Sequence, residues 1–344
     1  MKKLIFSVAL LSAALSATAE EHPLWMRYPA ISPDGTTIAF AYKGDLYSVS
    51  VNGGEARQLT THAAFDSHPV WSPDSKKIAF QSNREGSLDI FVIDAKGGAP
   101  TRLTTNSGSE TPIAFADNDH VLYSASLQPT AQSIIFGDNT FPQVYKVSTK
   151  GGRPELFSTL TMENISIAKN GDILYHDKKG YEDPWRKHQK SPIARDIWLK
   201  SNGKFAKQTT FAGEDRSPVW TSDEKSFFYL SEQDGTFNIY RRSLNSSSDK
   251  QITHHKGNPV RFLTASSADL LCYGYDGEIY TVKEGGEPQK VNISITTDND
   301  APSLVRQIKS WGATEISVSP DAKEVAFVMH GDVYVTSVEY TTTK

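Results

Sequence analysis

A phrase of five landmarks returns along this chain in a fixed order, and its spacing leaves few folds open. Tyr28-Pro29-Ala30-Ile31-Ser32-Pro33-Asp34-Gly35 is answered 40 residues later by His68-Pro69-Val70-Trp71-Ser72-Pro73-Asp74-Ser75. Ile38-Ala39-Phe40 follows the first copy and Ile78-Ala79-Phe80 the second. Next come Asp45-Leu46-Tyr47 and Asp89-Ile90-Phe91, the pairs Gly53-Gly54 and Gly97-Gly98, and finally Gln58-Leu59-Thr60 and Arg102-Leu103-Thr104. The polar-aliphatic-aromatic triplet appears five more times, at Gln143-Val144-Tyr145, Asp196-Ile197-Trp198, Asn238-Ile239-Tyr240, Glu278-Ile279-Tyr280 and Asp332-Val333-Tyr334. The mean step of about 48 residues is close to the period of four-stranded propeller blades.

Each landmark has a physical role in such a blade. In Ser-Pro-Asp-Gly the proline presets φ, the aspartate bonds the backbone two residues on, and the glycine takes the left-handed angle of a tight hairpin. Lys43-Gly44 and His330-Gly331 suit short turns between the second and third strands, and Asn52-Gly53 suits a hairpin between the third and fourth. Leu46 to Val51 and Ile90 to Ile93 are apolar on both faces, so their sheets must be covered on both sides. A lone blade buries too little to offset its backbone entropy, and blades therefore stack. The expected fold is all-β: a β-propeller of four-stranded blades, six of them over residues 24–293. A linker (294–312) and the start of a second propeller (313–344) follow. A single seven-bladed ring is the alternative.

The N-terminus reads as an export signal. Met1-Lys2-Lys3 precedes an apolar run from Leu4 to Leu15 that is too short for a stable membrane span, and Ala17-Thr18-Ala19 supplies the small residues of a cleavage site. Cleavage after Ala19 would send the mature chain to the periplasm or outside the cell. A net charge of −4 lacks the basic excess that nucleic acid requires. No later stretch is apolar enough to span a membrane. The one cysteine, Cys272, lies in Leu270-Leu271-Cys272-Tyr273, which reads as a buried strand.

These repeats are similar to those of the periplasmic Tol-system propeller protein, the dipeptidyl-peptidase type propellers and the tricorn proteases. Gly180-Tyr181-Glu182-Asp183-Pro184-Trp185-Arg186-Lys187-His188, with Ser191-Pro192 and Arg195-Asp196-Ile197-Trp198 after it, resembles the fourth blade of secreted bacterial tricorn-type peptidases. Leu24-Trp25-Met26-Arg27-Tyr28-Pro29 resembles their start. The resemblance implies that a second propeller, a PDZ domain and a serine peptidase domain would follow Lys344, and that the family's catalytic serine has no counterpart here. It implies peptides or unfolded polypeptide as partners, and leaves homo-oligomerisation open. A stand-alone Tol-type propeller that binds protein partners is the other reading.

There is no G-x-S-x-G elbow, since Ser109 follows Gly108 without a second glycine. His254-His255 are adjacent, so on a strand they would point to opposite faces and share no metal. The glycine pairs sit between strands, and no cofactor is expected. The charged insertion is the candidate site, with Asp183, Trp185, Arg186, Lys187, His188 and Arg195 as candidates for binding a peptide or a neighbouring domain. Two readings stand: its arginines meet carboxylates of a partner, or they form an internal salt-bridge network that fastens the insertion to its blade.

Overall fold

The computed structural model describes residues 23–126, 141–181, 188, 190–244, 248–296, 311–329 and 331–339. The export signal and its cleavage point lie outside the described residues. The chain forms two compact units, Met1–Thr296 and Thr297–Lys344.

Within the first unit, six four-stranded antiparallel sheets follow one another. Blade one comprises β1 (Arg27–Ile31), β2 (Thr37–Tyr42), β3 (Asp45–Ser50) and β5 (Arg57–Gln58), with the two-residue β4 (Gly54–Glu55) between the last two. Blade two runs β6 (Asp66–Trp71), β7 (Lys77–Ser82), β8 (Asp89–Asp94), β9 (Thr101–Arg102). Blade three runs β10 (Glu110–Asp117), β11 (His120–Ala125), β12 (Gln143–Ser148), β13 (Glu155–Ser158). Blade four is β14 (Met162–Ile167), β15 (Ile173–Asp177), β16 (Ile197–Ser201), β17 (Lys204–Lys207), and blade five is β18 (Asp215–Trp220), β19 (Ser226–Ser231), β20 (Asn238–Ser243), β21 (Asp249–Gln251). Blade six is β22 (Arg261–Ala265), β23 (Leu271–Tyr275), β24 (Glu278–Val282), β25 (Gln289–Lys290). The first strands β1, β6, β10, β14, β18 and β22 pack in that order, and β22 returns to β1. That cyclic order is the arrangement of a β-propeller, with first strands innermost.

The recurring phrases become recurring bonds. Ser32 Oγ donates to Asp34 and accepts from Thr37 N–H at 3.0 Å, while Asp34 accepts from Thr36 N–H at 3.0 Å. Ser72 with Asp74 and Thr221 with Asp223 repeat this clamp. The left-handed position falls to Gly35 in the first copy but to Ser75 and Glu224 in the others. The threonine closing each Gln-Leu-Thr-like phrase is a latch, because its Oγ1 accepts the N–H of the aliphatic residue in the polar-aliphatic-aromatic triplet. Thr60 holds Leu46, Thr104 holds Ile90, Thr209 holds Ile197 and Thr253 holds Ile239, at 2.9–3.1 Å.

Blades are joined by a bond that also repeats. Asp66 N–H donates to Gly44 O, Glu110 to Leu88 O, Asp215 to Arg195 O and Val260 to Phe237 O, and Met26 N–H donates to Gly277 O across the junction of blades six and one. Trp71 Nε1–H reaches back to Ala30 O at 2.8 Å and Trp220 Nε1–H to Ser166 O at 3.1 Å. Apolar side chains fill the spaces between neighbouring sheets, as in the cluster that unites Ile31, Phe40 and Tyr47 of blade one with Cys272 and Ile279 of blade six.

The ring is finished by a strap. After blade six, β26 (Ile293–Ser294) pairs parallel with β4 at the outer side of blade one. Gly54 N–H donates to Asn292 O and Ala56 N–H to Ser294 O, both at 2.8 Å. Val291 and Ile293 are buried in the same cluster as Cys272. Among the described residues, the second unit holds one three-stranded sheet, β27 (Ala313–Val318), β28 (Glu324–Met329) and β29 (Asp332–Ser337), with the hairpin clamp repeated at Ser319 and Asp321.

One expectation is corrected. His254 and His255 do not lie on a strand: β21 stops at Gln251, because Thr253 turns inward as the latch and the chain then leaves the sheet. His255 instead stacks on Tyr275 at 3.9 Å and is hydrogen-bonded to the Tyr273 hydroxyl at 2.9 Å.

Candidate functional site

Five of the six innermost strands carry the same distortion. Residues Tyr28, His68, Asn164, Ser217 and Phe262 adopt φ of 48–58°, each where the register between first and second strands shifts. A bulge bends the strand and re-aims one side chain out of the sheet pattern. Here the re-aimed side chains come from equivalent places on blades that converge at the axis. Tyr28 stacks on His68 with ring centroids 3.7 Å apart and meets Phe262 edge-on at 4.9 Å. Side chains from blades six, one and two can touch in this way only where the blades meet, so these positions line the bore.

The opposite arc of the bore is polar and ionic. Ser217 N–H donates to His176 Nδ1 at 3.0 Å, which leaves Nε2 as the protonated nitrogen of the neutral ring, 3.1 Å from Glu163 Oε2. Arg195 Nε–H donates to the same Oε2 at 3.0 Å and Nη1 reaches Glu214 Oε1 at 3.5 Å; Arg216 Nε–H donates to Glu214 Oε2 at 2.8 Å. Burial lowers the His176 pKa, with Arg195 and Arg216 acting in the same direction against Glu163, so the imidazole is neutral at pH 7. Burial alone would raise Glu163, but the His176 hydrogen bond and Arg195 outweigh it and hold the carboxyl well below its ordinary range. Two carboxylates thus face two guanidiniums, with Arg195, Glu214 and Arg216 buried and Glu163 still partly open to solvent.

Serine, histidine and glutamate meet here, yet the wiring differs from that of a hydrolytic triad. The imidazole nitrogen that a serine hydroxyl would need is occupied by a backbone amide, and the other faces the glutamate. Among the described residues, no group of three or more His, Cys, Asp or Glu is arranged to hold a metal ion. No described helix is long and apolar enough to cross a membrane.

Of the residues expected in the charged insertion, Arg195 is 4% exposed and enters this network. His188 donates its backbone N–H to Glu232 Oε2 at 2.6 Å and holds its ring 3.9 Å from that carboxylate. Asp183, Trp185, Arg186 and Lys187 lie outside the described residues. The two roots of the insertion are stapled together, with Lys179 Nζ donating to Ala194 O and to Asp196. Sequence reasoning missed Glu163, His176, Glu214, Ser217 and the aromatic arc. The available signal was the residue before proline in Tyr28-Pro29, His68-Pro69 and Ser217-Pro218, which marks the bulge.

Residues 23–288 match the family model of the tricorn protease N-terminal beta propeller domain. Tricorn protease homolog 1 of Streptomyces coelicolor is 24% identical over 330 residues, covering 93% of this chain and 29% of the relative. Tricorn protease of Thermoplasma volcanium is 26% identical over 283 residues, covering 78% of this chain and 26% of the relative. A crystal structure of the tricorn protease shares the fold with a TM-score of 0.68 at 20% identity, over 94% of this chain and 31% of that one. The chain spans less than a third of the length of each of these proteins.

Proposed function

The chain belongs to the tricorn protease N-terminal beta propeller family, and from that premise we propose that its ring is the noncatalytic, peptide-guiding region of a secreted serine peptidase. In this reading the ring passes or filters extended peptides and scaffolds PDZ and peptidase domains encoded beyond Lys344. The observation that carries it is the bore itself, where five innermost strands bulge at equivalent places and the side chains of Tyr28, His68 and Phe262 meet from three blades. Loops and distortions on a rigid scaffold are where binding is commonly built. Export rests on the Met1–Ala19 pattern.

The test compares peptide hydrolysis by the full-length gene product with hydrolysis by a version lacking residues 23–296, and assays this chain alone on the same substrates. Guidance by the ring predicts no turnover by the chain alone and a changed range of cleaved peptides when the ring is removed. Turnover by this chain alone, or an unchanged cleavage profile after the deletion, would refute the reading.

A further inference from the structure

The two arcs of the bore differ in chemistry. Phe262, Tyr28 and His68 form a continuous aromatic wall across three successive blades, and all three remain partly exposed. The wall is built in. Phe262 lies against Gly274 of the adjacent strand, where a Cβ would stand 3.1 Å from its ring, so that glycine makes room for the ring. His68 adds no charge, because burial holds its pKa down at about 4 and the ring is neutral at pH 7. Its Nδ1 is engaged by the Ser67 hydroxyl at 3.1 Å. Across the bore stand Asn164 and Ser217, backed by the ionic network.

An extended polypeptide sends successive side chains to opposite sides. In a bore with one aromatic and one polar arc, alternate side chains therefore meet different surroundings. A partly exposed aromatic surface favours flat or bulky apolar groups, through offset or edge-to-face ring contacts and the removal of apolar area from water. Resting on the peptide-guiding reading above, we infer that the Tyr28–His68–Phe262 wall is a recognition subsite for a bulky apolar side chain, aromatic above all, of an extended peptide whose neighbouring side chains are small and polar.

The test titrates the full chain with acetyl-Ser-Phe-Ser-Phe-Ser-amide and with acetyl-Ser-Ala-Ser-Ala-Ser-amide. Calorimetry gives affinity, and the His68 ring resonances report contact. The inference expects tenfold or tighter binding of the phenylalanine peptide, with His68 ring shifts for that peptide alone. Phe262→Asn, a residue that tolerates the left-handed backbone, should abolish the preference while leaving the alanine peptide unaffected. Gly274→Ala, which crowds Phe262 from behind, should reduce it without removing any ring. Equal binding of both peptides by the wild-type chain would overturn the subsite but leave the guiding function standing. Binding of neither peptide would overturn both.

Discussion

Replacing Gly53 with alanine isolates the strap that closes the ring. Gly53 has φ +84°, and an added Cβ would lie 2.4 Å from Asn292 O and 3.2 Å from Asn292 N. These are backbone atoms, so no side-chain rotation relieves the clash and the strap must move. Its two hydrogen bonds contribute about 1 kcal/mol each, giving about 2 kcal/mol for detachment before any loss of Val291 and Ile293 burial. Gly97 occupies the equivalent position of blade two with φ +82° and only an ordinary contact, Leu59 Cδ2 at 3.8 Å. Gly97→Ala therefore carries the left-handed backbone cost, about 1–2 kcal/mol, without the clash. Cys272, fully buried in the cluster beside the strap, is the chain's one cysteine and reports seam opening. Thiol labelling in native buffer should accelerate about 30-fold more in Gly53→Ala than in Gly97→Ala, at tenfold per about 1.4 kcal/mol. Equal acceleration in the two variants would refute the argument that the strap guards this seam.

Three further outcomes follow from buried polar groups. Glu110 is pushed up to about 7 by burial, with Asp89 adding to the rise, and Asp215 likewise to about 7 by burial, with Asp196 adding. The folded chain keeps protons that the unfolded chain releases above about pH 4–4.5, so stability falls as pH rises from there to about 7 and is flat beyond. Glu110→Gln or Asp215→Asn should raise stability at pH 8 by on the order of 1–2 kcal/mol and flatten the urea-midpoint profile between pH 5 and 7. Thr60→Val or Thr253→Val leaves a buried third-strand N–H without its acceptor and should cost about 1–3 kcal/mol in urea unfolding. Arg195→Ala leaves Glu163 and Glu214 short of a cation and should cost about 3–5 kcal/mol, with Arg195→Ala/Glu163→Gln less destabilised than the single variant.

The blades were legible in the sequence because their signals are local. Ser-Pro-Asp, Asn-Gly and Gln-Leu-Thr each direct bonds within a few residues or within one hairpin, and the structure repeats those bonds copy after copy. The bore was not legible, because Glu163, His176, Arg195, Glu214 and Ser217 come together only after two blades pack. No spacing rule links them. The aromatic wall needed ring closure as well, since Phe262 and Tyr28 lie at opposite ends of the first unit. The histidine pair was misread for a local reason: a latch threonine ends its strand, so the period-two rule stops applying two residues before the histidines.

The strap also determines how the first unit would respond to force. Chain tension arriving from residues beyond Thr296 reaches β26 before any blade strand, and there it meets the two hydrogen bonds to Gly54 and Ala56. Those bonds would yield like a fuse, releasing a short tether while the inner strands stay paired.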